Sequence, residues 1–145
     1  MTIGSFCTRE VDLAEPQEPI WEAAARMRQR SVGTLVVLND AKEPVGVLTD
    51  RDLVTRVLAE RRNPLETCVR DVMTPAPKTV TEETSLGAAL SLMRSGAFRR
   101  VPVVDEGGRL VGLLSLDDVL QLVAEEMNQV GRLLEKETPT AAATP

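Results

Sequence analysis

The feature that most constrains this chain is a seven-residue stretch that occurs twice: Gly46-Val47-Leu48-Thr49-Asp50-Arg51-Asp52 returns as Gly112-Leu113-Leu114-Ser115-Leu116-Asp117-Asp118. Each copy reads glycine, two apolar residues, a hydroxyl and, three positions later, an aspartate. The apolar pair predicts the end of a buried strand, and Leu53-Val54 or Val119-Leu120 beyond it predicts the start of a helix. The flanks repeat as well. Ile20 aligns with Leu86, Ala23 with Ala89, Met27 with Met93, Val37 with Val103, Leu48 with Leu114 and Val57 with Val123, at a constant offset of 66 residues. Two copies are too few for a solenoid. The expected fold is therefore α/β (α+β): two β-α-β-β-α repeats packed face to face about a pseudo two-fold axis, with two related clefts between them.

Local signals place the elements of each repeat. In the first, Val11–Ala14 predicts a short strand, Pro19 suits the first turn of a helix running from Ile20 to about Arg30–Gly33, and Thr34–Leu38 with Pro44–Leu48 predicts a hairpin. Thr49 then opens a helix with Leu53, Val54, Val57 and Leu58 on one face. In the second, a short strand near Lys78–Val80 precedes a helix that starts at Glu82-Glu83-Thr84-Ser85, carries Leu86, Ala89, Leu90 and Met93 on its apolar face and ends at Gly96, then a hairpin of Arg100–Val104 and Leu110–Leu114, and a last helix from Leu116. The expected division is residues 1–62 for the first repeat with its N-terminal strand, 63–70 for a linker, 71–127 for the second repeat, and 128–145 for a helical extension and flexible tail. The stretch from Met1 to Arg9 carries no strong pattern. An apolar stripe of Leu116, Val119, Leu120, Val123, Met127, Val130, Leu133 and Leu134 runs past the end of the repeat. It either covers the chain's own core or meets a second subunit. Thr138–Pro145 is a low-complexity tail.

Composition narrows the chemistry. A net charge of −5 and an aromatic content of 2% disfavour nucleic acid and anionic membranes, which reward clustered cations and stacking platforms. With no histidine and only Cys7 and Cys68 as thiols, the commonest general base and zinc ligand are absent and no CxxC pattern exists. No catalytic or metal site is expected, and the two thiols read as buried or incidental. Glu82-Glu83 and Glu125-Glu126 read as solvated faces, and Trp21 and Phe98 as packing residues. No run approaches the roughly 20 apolar residues of a membrane span, so the expected compartment is the cytoplasm.

The repeated corner suits a ribose phosphate. A helix start presents free N–H groups to a phosphate, and Thr49 or Ser115 can accept from the backbone while donating its own proton. Asp52 or Asp118 can accept from ribose hydroxyls, and Gly46 or Gly112 lets a ligand or another strand approach closely. The same residues also spell a capping box, in which hydroxyl and carboxylate satisfy backbone donors of the helix.

The whole pattern resembles a tandem pair of CBS domains, the cystathionine β-synthase domain family. The resemblance covers Thr8 to Glu125 and rests on Val32-Gly33-Thr34-Leu35-Val36-Val37, Pro44 to Leu53, Val69-Arg70-Asp71-Val72-Met73, and Arg100-Val101-Pro102-Val103-Val104-Asp105 followed by Leu110 to Ser115. It implies a stand-alone regulatory sensor, not an enzyme, that dimerises and binds an adenine-containing ligand such as AMP, ADP, ATP, NAD or S-adenosylmethionine, with Mg²⁺ if the ligand is ATP. No cofactor is obligatory and the effector protein is unnamed. The implied ribose and phosphate residues are Gly46, Thr49, Asp52, Gly112, Ser115 and Asp118. Val32, Thr34, Arg99, Arg100 and Val101 are expected along the base pocket. Arg51, whose counterpart is Asp117, is expected to make the Thr49/Asp52 site the better phosphate binder. The alternative is an interaction or oligomerisation module whose clefts are empty.

Overall fold

A computed structural model of the chain describes residues 1–96 and 99–137; the expectations for Phe98 and for the tail from Thr138 lie outside the described residues. A short 3₁₀ turn, Ile3–Ser5, opens the chain. The first repeat then runs β1 (Leu13–Ala14), α1 (Ile20–Arg30), β2 (Thr34–Leu38), β3 (Pro44–Thr49) and α2 (Asp50–Asp52), which continues as a π-helical turn over Leu53–Leu58. After α3 (Val69–Val72) and β4 (Thr74–Pro75) come β5 (Val80–Thr81), α4 (Leu86–Gly96), β6 (Arg100–Val104), β7 (Leu110–Ser115) and α5 (Leu116–Glu137). The β-branched runs thus became strands and the 3.6-period segments helices, in the order the repeat predicts.

Two sheets result. In the first, β1 lies parallel to β2, β2 pairs antiparallel with β3, and β4 adds antiparallel to β3. In the second, β5 lies parallel to β6, which pairs antiparallel with β7. The registers are equivalent: Leu35 opposes Leu48 as Val101 opposes Leu114, and Val37 opposes Gly46 as Val103 opposes Gly112. Alternate strand residues enter one core per repeat. Leu35, Val37 and Leu48 pack with Ile20, Ala23 and Met27 of α1, and Val101, Val103 and Leu114 pack with Ala89 and Met93 of α4. Residues of opposite parity are buried too, among them Val36 and Pro102. Strands buried on both faces read as continuous apolar runs, as these do.

Each core is completed by the start of the other repeat. Val69 and Val72 of α3 sit in the first core, whereas Ile3 and Cys7 sit in the second. The N-terminal segment is held there by backbone bonds: the Ile3 N–H donates to Thr84 O, Thr8 N–H to Leu113 O, and Leu113 N–H back to Thr8 O (2.9, 2.9 and 2.8 Å). Arg9 ties it further, donating to Gly4 O (2.7 Å) and Glu82 Oε2 (2.9 Å). Glu82 is therefore an ion-pair partner and not merely a solvated carboxylate. The stretch before Arg9, which showed no pattern, is part of the fold because its apolar residues fill space in the opposite repeat.

Three sequence expectations change. The helix opened by Thr49 buries only a narrow ridge: Val57 is buried, whereas Val54 and Leu58 are 56% and 73% exposed. Its ladder widens there, Ala59 N–H donating to Val54 O and Arg62 N–H to Val57 O, an i→i+5 pattern that α5 does not share. Trp21 is 45% exposed on the outer side of α1 and does not pack in the core. The stripe along α5 does not cover the chain's own core either, since Val119 is its buried residue and the positions from Val123 to Glu137 are exposed.

Candidate functional site

Both strand-to-helix corners are capping boxes. At the first, the Thr49 N–H donates to Asp52 Oδ2 (2.9 Å) and the Asp52 N–H to Thr49 Oγ1 (3.2 Å). At the second, the Ser115 N–H donates to Asp118 Oδ2 (3.1 Å) and the Asp118 N–H to Ser115 Oγ (3.0 Å). Each hydroxyl uses a lone pair in its cap and keeps its proton to donate. Each corner is also held to the residue that leads into its partner strand, Asp50 N–H donating to Gly33 O (2.9 Å) and Leu116 N–H to Arg99 O (2.8 Å).

The corners differ in what surrounds the carboxylate. Asp52 Oδ1 lies 3.7 Å from Arg56 Nε, and that arginine is anchored through Nη1 on the carbonyls of Val72 and Met73 (3.0 and 3.2 Å). Asp118 has no cation at the equivalent place, where Leu122 stands. It accepts instead from the neutral Thr8 hydroxyl, 3.2 Å from both oxygens.

An open cleft of about 330 Å³ lies at the second corner. Val32, Gly33 and Thr34 border it from the first repeat and Arg100, Leu113, Ser115, Asp117 and Asp118 from the second, with Thr8, Glu10, Val11 and Asp12 closing it. Five predicted site residues, Val32, Thr34, Arg100, Ser115 and Asp118, are thereby brought together across the repeat boundary. Thr34 stands out among them: it is 9% exposed, and its Oγ1 is the buried side-chain polar atom without a hydrogen-bond partner among the described residues. A buried hydroxyl left in this condition costs about 1–3 kcal/mol.

Other predicted residues lie elsewhere. Gly46 is not bare for a ligand, because a Cβ there would run into the Met73 thioether; at Gly112 it would meet Cys7 Sγ and Thr8 O, both at 2.9 Å. At both glycines another segment of the chain approaches closely. Val101 is 1% exposed with its side chain in the second core, so it offers a ligand only its backbone. Thr49, Asp52, Arg51 and Arg99 are not among the residues bordering this cleft; the two arginines are exposed. Burial pushes the Cys7 thiol above its ordinary value, with Glu82 and Asp118 adding to the shift against Arg9. Cys7 is therefore held as a neutral packing group, and both cysteines are free. No grouping of three or more His, Cys, Asp or Glu placed to hold a metal ion occurs among the described residues, and no helix is long and apolar enough to cross a membrane.

A family model for the CBS domain matches the chain twice, over residues 3–59 and 69–125. The chain belongs to the CBS domain family. The two matched spans stand at the same offset as the repeat and place Ile3–Thr8 within the first CBS domain, opposite Val69–Thr74 of the second. An uncharacterized protein of Methanopyrus kandleri is 36% identical over 122 residues, covering 84% of this chain and 62% of its own length. An uncharacterized 17.7 kDa protein of Acidianus ambivalens is 30% identical over 144 residues, covering 99% of this chain and 86% of its own. Among solved structures, CBSX2 from Arabidopsis thaliana in complex with AMP superposes with a TM-score of 0.75 and 30% identity, over 87% of this chain and 98% of that one.

Thr8, Glu10, Val11, Asp12 and Leu113 border the cleft of this CBS pair without any sequence signal of a site, and Asp117, expected only as the counterpart of Arg51, borders it too. One signal could have found Thr8. Extended toward the N-terminus, the 66-residue offset pairs it with Thr74, and Thr8 bridges to Leu113 as Thr74 pairs with Val47.

Proposed function

We propose that this CBS pair is a regulatory module that binds an adenine-containing nucleotide in the cleft between Val32–Thr34 and Ser115–Asp118, and signals occupancy by a change of arrangement or association. The observation that carries this reading is a cleft that brings Ser115 and Asp118, suited to phosphate and ribose, against Thr34 of the other repeat, whose buried hydroxyl has no hydrogen-bond partner among the described residues. The cleft is within the range of small-molecule sites, about 300–1,000 Å³. The AMP complex of CBSX2 supports the ligand class. In this role Ser115 donates to a phosphate oxygen, Asp118 exchanges the Thr8 hydroxyl for those of a ribose, and Thr34 meets the ligand with its free hydroxyl.

The lining also ranks ligands. Glu10, Asp12, Asp117 and Asp118 border the cleft with Arg100, and Arg30 pairs with Asp12 at 2.8 Å, so an added phosphate meets repulsion mainly from Asp117 and Asp118, and it grows as water is displaced. AMP and the sulfonium S-adenosylmethionine fit this field better than ATP, and Mg²⁺ offsets part of the penalty for ATP. Charge alone favours the Thr49/Asp52 corner, beside Arg51. Space and the orphan hydroxyl favour Ser115/Asp118, and we take the latter as the primary site.

Calorimetry and thermal shift with AMP, ADP, ATP, NAD and S-adenosylmethionine test the reading. A ligand at 100 times its Kd is expected to add about 2.7 kcal/mol. Asp118→Ala and Thr34→Val are expected to lose most of that gain, whereas Asp52→Ala keeps it. The second reading, a ligand-free interaction module, is favoured by one fact: both aspartates already serve as caps. Absence of any shift across the panel would select it.

A further inference from the structure

The two repeats treat one position in opposite ways. In the first, the Arg56 guanidinium donates through Nη1 to the carbonyls of Val72 and Met73 (3.0 and 3.2 Å), and its Nε lies 3.7 Å from Asp52 Oδ1. Backbone acceptors and a carboxylate thus surround one planar cation, a set that suits the rigid fork of a guanidinium better than the point charge of an ammonium. At the 66-residue offset Arg56 becomes Leu122 and Asp52 becomes Asp118, while Val72 and Met73 correspond to Phe6 and Cys7, and Thr55 and Ala59 to Gln121 and Glu125.

A pocket of about 190 Å³ lies on the second repeat, bordered by Phe6, Asp118, Gln121, Leu122 and Glu125. These residues are the counterparts of Val72, Asp52, Thr55, Arg56 and Ala59, so the pocket opens where the guanidinium sits in the first repeat. Leucine is shorter than arginine and carries no donor. The groups that would hold the cation are nevertheless present. Neither the Phe6 nor the Cys7 carbonyl accepts a hydrogen bond among the described residues, and Asp118, beyond its cap, is met by the neutral Thr8 hydroxyl. Glu125 adds a carboxylate where the first repeat has alanine, and it has no ion-pair partner among the described residues. Arg9, the cation of the N-terminal segment, is turned to Gly4, Glu82 and Val111. Because no grouping of three or more metal-ligating side chains occurs among the described residues, an organic cation fits this set better than a metal ion.

We propose that this pocket binds the head of an alkylguanidinium ligand, which takes the place that Arg56 fills in the first repeat, donating to Asp118 and to the Phe6 and Cys7 carbonyls while Glu125 balances its charge. The pocket meets the cleft at Asp118, but the site does not rest on nucleotide binding and its test uses no nucleotide. In NMR of the full chain titrated with methylguanidinium chloride at constant ionic strength, saturable shifts are expected at the amides of Phe6, Asp118, Gln121, Leu122 and Glu125, while those of Val72, Asp52, Thr55, Arg56 and Ala59 stay in place. N-Methylurea, which has a similar shape without the charge, is expected to give no saturation. Leu122→Arg supplies the guanidinium from the chain itself, so it should raise the thermal midpoint and abolish the response. Glu125→Gln keeps the pocket and weakens affinity roughly two- to fivefold, as loss of an exposed ion pair does. Circular dichroism checks the fold of both variants. Shifts that never saturate, an equal response to N-methylurea, or undiminished affinity in Leu122→Arg overturns the proposal. Butylguanidinium and N-acetylarginine amide distinguish the source, and either ranking upholds the site: tighter binding of the first marks a free guanidino compound, and tighter binding of the second an arginine side chain.

Discussion

A Cβ on Gly46 would overlap the Met73 thioether and one on Gly112 would overlap Cys7 and Thr8, so these two glycines make room for neighbouring segments of the chain. Overpacking of this kind costs typically about 1–3 kcal/mol. Gly46→Ala is expected to lower stability by that amount in urea denaturation. Gly87, in the first turn of α4, has nothing within 4 Å of a built Cβ, and Gly87→Ala should raise stability by roughly 0.5–1 kcal/mol. A stable Gly46→Ala would mean that Met73 moves aside freely. The sequence presents these glycines as identical signals with two meanings; which neighbour arrives depends on a residue 27 positions away in one case and on the N-terminus in the other. That information is tertiary. The same holds for Thr34, whose residue type suggested a cleft but whose missing partner is visible only once both repeats surround it.

At the scale of elements, the strand-to-helix corners were legible because their chemistry is local. Hydroxyl, acid and spacing specify the capping boxes, and the β-branched runs specify the hairpins in register. The π-helical turn at Leu53–Leu58 was not legible, since Leu53-Val54-Thr55-Arg56-Val57-Leu58 carries an ordinary amphipathic pattern. Each cap is a helix-stabilising device worth about 1 kcal/mol, in a range of about 0.5–2. Thr49→Ala and Ser115→Ala are therefore expected to cost similar stability in thermal denaturation, while only Ser115→Ala weakens nucleotide binding by calorimetry. Equal loss of binding in both variants would show that the Thr49/Asp52 corner is an equal site, and a larger loss in Thr49→Ala that it is the better one, as the Arg51 charge alone suggests.

For the whole molecule, the decisive arrangement is the exchange of first segments between repeats. Ile3 is fully buried in the second core, and Val69 and Val72 in the first. Ile3→Ala is expected to cost about 2–5 kcal/mol and to lower a single unfolding transition, followed by fluorescence and circular dichroism together, because each core depends on the other repeat. Two separate transitions, with only the second repeat affected, would contradict this. The duplication was visible from Ile20 onward. Its extension to Ile3 was hidden because, between Ile3–Thr8 and Val69–Thr74, only the threonine is identical; the rest match in apolar character at Ile3 with Val69, Phe6 with Val72 and Cys7 with Met73.

The crossing of those segments has a consequence for any attempt to divide the chain. Cut between Arg62 and Asn63, it would give an N-terminal piece carrying the Ile3 segment that completes its neighbour, and a C-terminal piece carrying the Val69 segment that completes the first. Such pieces are complementary fragments, each lacking the plug that the other holds. Two copies of one repeat could plug each other in the same way, so the molecule has the logic of a domain-swapped dimer joined into one polypeptide.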